Sequence, residues 1–187
     1  MLARSDMLSL DPDADLIPRL AAGDEKALAD LLDRRLNTIH ALATRLLMDR
    51  SLAEDVAQTV FLKVWEVAPK WQYGNAKLLT WMCRVTTNKC LDILKKKKPL
   101  YTDSVPDVID NQANGLEQLI TKDRDAQVKR AMAKLPDKQR AAITLTYYQY
   151  LPQKESAEIL GLNLKAFEGL LSRAKKNLKT ALSIETG

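Results

Sequence analysis

The sequence predicts an all-α protein: two small helical domains joined by a flexible linker, the second containing a helix-turn-helix. Three observations lead there. Only 6 glycines and 7 prolines occur among 187 residues, too few for a strand-and-turn architecture. The apolar residues are mostly Leu and Ala, strong helix formers, and they recur at helical spacing. Charge also changes sign along the chain. Residues 1–66 carry a net −4, 67–98 a net +7, 99–124 a net −3 and 125–187 a net +5. Two separate basic zones point to two contacts with a polyanion, and the acidic first stretch to a different kind of partner.

The elements follow in order. "DPDADLIPRLAAGDEKALADLLDRRLNTIHALATRLLMD" reads as a short helix, a break at Gly23 and Asp24, then a long helix. Leu28, Leu31, Leu32, Ile39, Leu42, Leu46 and Leu47 form the long helix's apolar stripe. Ser51 with Glu54 three residues later has the capping-box pattern for the next helix, which ends at Pro69. A loop rich in aromatics, "PKWQYGNAK", leads to a helix over about 77–97, stopped by Pro99. Residues 99–124 hold two prolines, a glycine and several Asp and Asn with little periodicity, which is linker composition. The first domain is therefore 10–98 and the second 125–184. In the second, Pro136 reads as a first-turn proline, Gly161 as a helix stop and Asn163 as an N-cap.

The 77–97 helix carries the sharpest signal. On a helical wheel, Leu78, Leu79, Met82, Val85, Thr86, Cys90 and Ile93 gather on a core side. Lys77, Trp81, Arg84, Asn88, Asp92 and Lys95 gather opposite, and Lys95 to Lys98 end the helix. A solvated face with a half-buried Trp81 would account for the periodicity, and lysines at a helix C-terminus suit its dipole. A nucleic-acid face also accounts for the residue types. Arg and Lys hold phosphates, Asn bonds a base edge and Trp stacks on a base. Trp71, Tyr73 and Asn75 in the preceding loop favour that second reading, because unstacked bases need aromatic pockets.

"LPQKESAEILGLNLKAFEGLLSRAKKNLK" fits a helix-turn-helix. Its second helix turns Leu164, Phe167, Leu171, Ala174 and Leu178 inward, and Lys165, Gly169, Ser172, Arg173 and Lys176 outward. An ordinary αα-hairpin shares the pattern; the basic outer face favours DNA.

Other classes are disfavoured. No apolar run is long enough to span a membrane, and the N-terminus lacks a signal core, so we expect a cytoplasmic protein without membrane insertion. Cys83 and Cys90 lie about 10 Å apart along one helix, too far for a disulfide. With one histidine, His40, in an apolar stripe, no metal site is expected. No Gly-rich phosphate loop or nucleophile–base pair stands out, so neither catalytic residues nor a cofactor are expected.

Taken together, "GDEKALADLL", "AEDVAQTVFLKVW", "LLTWMCRVTTNKCLDILKKKKP" and the segment from Leu135 to Leu178 resemble the extracytoplasmic-function sigma factors. These are small two-domain initiation factors of bacterial RNA polymerase. The likeness runs from about Asp15 to Leu182. It implies that the first domain binds core polymerase, reads the −10 element and captures a flipped base, while the second reads the −35 element. It implies polymerase contacts at Glu54, Asp55, Gln58, Phe61 and Trp65. It places Arg84, Asn88 and Asp92 at base and backbone contacts, and Trp71 or Gln72 at the base pocket. The recognition helix departs from the family pattern: Glu168 and Leu170 stand where basic residues are common. The −35 contacts then fall to Lys165, Glu168, Ser172, Arg173 and Lys176. The partners implied are core RNA polymerase, promoter DNA of stress- or signal-responsive genes, and an anti-sigma factor. The competing expectation is a stand-alone helix-turn-helix regulator that does not bind core polymerase.

Overall fold

The structure, a computed structural model, describes residues 11–71, 77–97 and 116–185. Its order is α1 (Leu16–Ala21), α2 (Glu25–Leu47), α3 (Arg50–Val67), a 3₁₀ turn (Ala68–Lys70), α4 (Leu78–Lys97), α5 (Leu116–Ala133), α6 (Asp137–Ile143), a π-helical turn (Thr144–Tyr148), α7 (Gln153–Ile159) and α8 (Leu164–Glu185). Every regular element described is helical, as the composition predicts. The chain divides into two compact units, Met1–Cys90 and Leu91–Gly187. That division falls inside α4, where Cys90 is the last buried residue.

In the first unit α2 packs along α3, and α1 packs on α2 and on the 3₁₀ turn. Gly23, at φ 78°, turns the chain, and Asp24 caps α2 by accepting the Lys26 N–H. Leu31, Ile39, Leu42 and Leu46 of α2 meet no solvent. Neither do Ala53 and Val60 of α3. Each such leucine or isoleucine stabilises by about 1.5–3 kcal/mol. Before α1, a tight turn of aspartates is tied to α2. Asp13 takes the Nε of Arg35 at 2.8 Å, and Asp15 takes both terminal nitrogens of Arg34 at 2.9 and 3.0 Å.

Three local readings are corrected. Asp49, not Ser51, caps α3, accepting the Leu52 N–H at 3.1 Å. Met48 ends α2 in the left-handed region (φ 54°), so Asp49 is the first extended residue and takes the cap position. Pro136 sits one place earlier than expected, at the N-cap of α6. The buried face of α4 is Leu78, Met82, Cys83, Thr86, Thr87 and Cys90. It is rotated from the expected side, so Val85 and Ile93 stay half-exposed while Cys83 and Thr87 are enclosed. Small side chains allow close packing there, which the hydrophobic count undervalued.

In the second unit α8 packs against α5, α6 and α7. Helix α5 begins at Leu116, inside the stretch read as linker; no proline or glycine interrupts 116–133. The rest of that stretch, 99–115, lies outside the described residues. Arg140 is buried beneath the α5–α6 corner. It pairs with Asp137 at 2.9 Å and donates to the carbonyls of Leu135 at 3.1 Å and Ala133 at 3.4 Å. Replacing Arg140 by Ala strips two carbonyls and a carboxylate of their donor. It should destabilise the second unit by about 2–3 kcal/mol, read from its urea transition.

Acid should weaken the first unit. The Arg34 guanidinium holds the Asp15 carboxyl below the ordinary aspartate range, and Arg19 does the same to Asp24. Carboxyls depressed in the folded state contribute stability above their unfolded pKa and lose it as pH falls through the folded value. Arg19 and Arg34 are pushed further up and stay charged throughout. Both pairs are solvent-exposed, so the effect is small. The urea midpoint should hold from pH 7 to about 5 and drop below about 4. Arg34→Gln should make that drop shallower; identical acid limbs would show that the pair is not coupled to folding.

Candidate nucleic-acid interface

Helix α4 presents Arg84, Asn88, Asp92 and Lys95 outward, each about one turn after the last, and all four are exposed. Lys77, just before the helix, and Lys89, Lys96 and Lys97 are exposed as well. Trp81 is half-buried because its ring meets that of Trp71 edge-to-face, with centroids 5.7 Å apart and planes at 81°. This geometry is a stable aromatic pairing. It brings together two indoles that lie on either side of residues 72–76 in the sequence. Tyr73, Asn75, Lys98 and Gln72 lie outside the described residues.

Between α2 and α3 runs an open apolar groove of about 530 Å³. Glu54, Gln58 and Phe61 line it, so three of the five expected polymerase-facing residues come together. Asp55 is exposed and Trp65 half-buried, and neither is among the lining residues. The other wall was missed in the sequence. It is built by Leu28, Leu32, Leu36 and His40, with Leu62 exposed across from them. Leu36 is 43% exposed and Leu62 56%. The signal was present: Leu28, Leu32 and Leu36 repeat every four residues, a ridge beside the core stripe rather than part of it. His40 borders this groove, and its Nε2 is buried with no hydrogen-bond partner among the described residues.

Of the acids in the first stretch, Glu54 alone lines the groove. Asp13, Asp15, Asp24 and Asp30 are bonded within the domain to Arg19, Arg34 and Arg35. These four carboxylates are thereby engaged inside the domain.

In the second unit, Gly161 (φ 66°) makes the turn between α7 and α8. Asn163 caps α8, accepting the Ala166 N–H at 2.8 Å. Phe167, Leu171 and Ala174 are buried, and Leu178 half-buried. Leu164, expected inward, is 45% exposed, because the first residue of α8 precedes the turn that packs. Lys165, Glu168, Ser172, Arg173 and Lys176 are all exposed on α8. A Cβ added at Gly169 would lie 3.6 Å from the Arg173 guanidinium, so that side chain folds back along the helix. Leu170 is half-buried, so this position is partly turned from solvent.

A helix-turn-helix in one part of the chain and an exposed row of cations on α4 are features of the class of DNA-binding proteins. The sigma-70 region 2 family matches residues 31–99, and the sigma-70 region 4 family matches 125–178. SigW of Bacillus subtilis, an extracytoplasmic-function RNA polymerase sigma factor, is 28% identical over 177 residues, spanning 89% of this chain and 94% of that protein. SigK of Mycobacterium bovis, from the same group, is 26% identical over 187 residues, spanning 95% of this chain and 96% of that one. The fold of CnrH, solved in complex with the cytosolic domain of CnrY, matches with TM-score 0.70 at 24% identity, covering 93% and 99% of the two chains. RpoE of Bartonella quintana, solved with the anti-sigma factor NepR, matches with TM-score 0.65 at 22% identity, covering 85% and 98%. The chain belongs to the extracytoplasmic-function sigma factors of the sigma-70 family, RNA polymerase initiation factors that are not enzymes. The region 2 match occupies the part that a stand-alone regulator would leave unrelated to polymerase binding. Among the described residues, no helix is long and apolar enough to cross a membrane.

Proposed function

We propose that the exposed face of α4 opens promoter DNA at the −10 element, while the α2–α3 groove receives core polymerase and α8 reads the −35 element. The observation that carries this is the outward row Arg84, Asn88, Asp92 and Lys95 beside the paired indoles of Trp71 and Trp81. Lysines at the end of α4 contribute sequence-independent attraction for phosphate. Asn88 supplies both a donor and an acceptor for a base edge. The indoles offer a stacking surface to an unpaired base. On α8, Lys165, Ser172, Arg173 and Lys176 take the duplex contacts, with Glu168 able to accept from a cytosine amino group. The protein would work in the cytoplasm at signal-responsive promoters. An anti-sigma factor, such as the one solved with the Bartonella protein, would inhibit it by covering the groove or α8.

The roles on α4 separate in experiment. Replacing Lys95, Lys96 and Lys97 by Gln should lower affinity for every promoter and flatten the salt dependence by about 0.7–0.9 per lost phosphate contact. Asn88→Ala should leave that slope alone and reduce −10 discrimination by about 1–3 kcal/mol. Permanganate reactivity of promoter thymines with core polymerase bound, over a salt series, reads both. Normal melting by Asn88→Ala would remove the base-capture role.

The groove has its own test. Leu36→Glu or Leu62→Glu places a charge in an apolar contact without touching the core, because both side chains are already largely exposed. Affinity for core polymerase should fall by at least about tenfold, while thermal stability stays within about 0.5 kcal/mol of the parent. Undiminished co-purification with core would move the contact elsewhere.

A further inference from the structure

We propose that Asp11 is a positioning residue for promoter opening: it sets where α4 begins and hence where Asn88 and Arg84 point. The proposal rests on the reading of α4 as the opening face. Both oxygens of the Asp11 carboxylate are engaged. Oδ1 accepts the Asp13 N–H at 3.0 Å, and Oδ2 accepts the Leu78 N–H at 2.8 Å. Leu78 is the first residue of α4 and is 1% exposed. Its N–H is one of the amides that no helix can satisfy internally, and water does not reach it freely there. A carboxylate at that end also suits the helix dipole.

The residue that supplies this cap lies 67 positions earlier in the chain. It belongs to the aspartate turn, which is locked to α2 through Asp13–Arg35 and Asp15–Arg34 and through the Pro12 carbonyl, bonded by Arg34 at 3.2 Å. The same segment continues into α1, which packs on the 3₁₀ turn that ends at Lys70. Trp71 follows, with its N–H held by the Ala68 carbonyl at 3.1 Å. The N-terminal segment thus holds the chain up to Trp71 through α1 and the chain from Leu78 onward through Asp11. Capturing a base demands placement within about 0.5 Å and 10–20°. A helix whose first turn is uncapped frays and loses that placement before it loses its fold.

The test uses the full chain with core polymerase and compares Asp11→Ala, Asp11→Asn and Asn88→Ala. Asp11→Ala should leave core affinity within about twofold, yet lower permanganate-detected opening at saturating core by about fivefold, the size of a lost cap. Hydrogen exchange at the Leu78 amide should accelerate in the same variant. Asp11→Asn keeps one acceptor oxygen, which can serve the Leu78 N–H only by giving up the Asp13 N–H, and should restore amide protection and opening in part. If Asp11→Ala lowers core affinity and opening in parallel, the residue is an ordinary structural cap and the proposal falls. It falls equally if Leu78 exchange is unchanged, or if opening survives fast exchange. Asn88→Ala separates this from the underlying reading. Normal opening by Asn88→Ala sinks the reading of α4 and the proposal with it. Impaired opening there, with normal opening by Asp11→Ala, sinks only the proposal.

Discussion

Asp13 has no exposed surface, and its carboxylate lies 2.8 Å from the Arg35 Nε with Arg34 3.8 Å away. A carboxylate taken out of water without a partner would cost several kcal/mol, so the arginines must be where they are. That requirement fixes the N-terminal turn against the middle of α2. Leu16, Ile17 and Leu20 of α1 can then be buried, and α1 can support the 3₁₀ turn that leads to Trp71. From the same turn Asp11 reaches the start of α4. The apolar core of α2 and α3 would form from leucine periodicity alone. The placement of Trp71 and of the start of α4 on that core depends on this one buried charge.

The second unit has the converse arrangement, a buried cation. Arg140 holds the carbonyls of Leu135 and Ala133 and the Asp137 carboxylate, closing the corner between α5 and α6. Four residues later the π-helical turn Thr144–Tyr148 ends the α6 segment, and Tyr150 adopts φ 53° before α7 begins. The corner and the turn leave α6 and α7 both lying on α8. Helix α8 is therefore the shared core of the unit along its buried face, with Phe167 at 0% exposure, and free along the other. A helix that reads DNA would need both properties: it must be rigid, and the outward residues of its first turns must not be needed for packing.

The fold was legible wherever periodicity was strong. The long helices, the Gly23 and Gly161 turns and the Asn163 cap are all local features, and local sequence decides them. What escaped were contacts made across sequence distance. Asp49 in place of Ser51 depends on where α2 stops, which Met48 determines through its left-handed conformation. The rotation of the α4 core toward Cys83 and Thr87 depends on the space available, and hydrophobicity is a poor guide to small side chains in tight packing. The outward row of α4 survived this rotation because charged and amide side chains had no alternative face. The groove was half legible. Its α3 wall came from family likeness and its α2 wall required the leucine ridge to be separated from the core stripe.

The charge blocks along the chain take on a different meaning once the pairs are known. The excess acid before residue 67 reads as a surface for a partner, yet four of its aspartates are bonded to arginines of the same domain. What remains around the groove is mostly hydrocarbon: Leu28, Leu32, Leu36, Phe61 and Leu62, with Glu54 at the edge and already bonded to Arg50. The basic block is different: Lys89, Lys95, Lys96 and Lys97 stand exposed on α4, with Asp92 the one acid of that helix. Closely spaced like charges in water repel each other, and a polyanion relieves that repulsion while releasing its counterions. Burial of hydrocarbon has no such dependence on ions. The two faces of the first domain therefore rest on different physics: one is apolar and not screened by salt, the other electrostatic and screened by it. Net charge summed over a segment cannot distinguish them, since it counts paired and exposed groups alike.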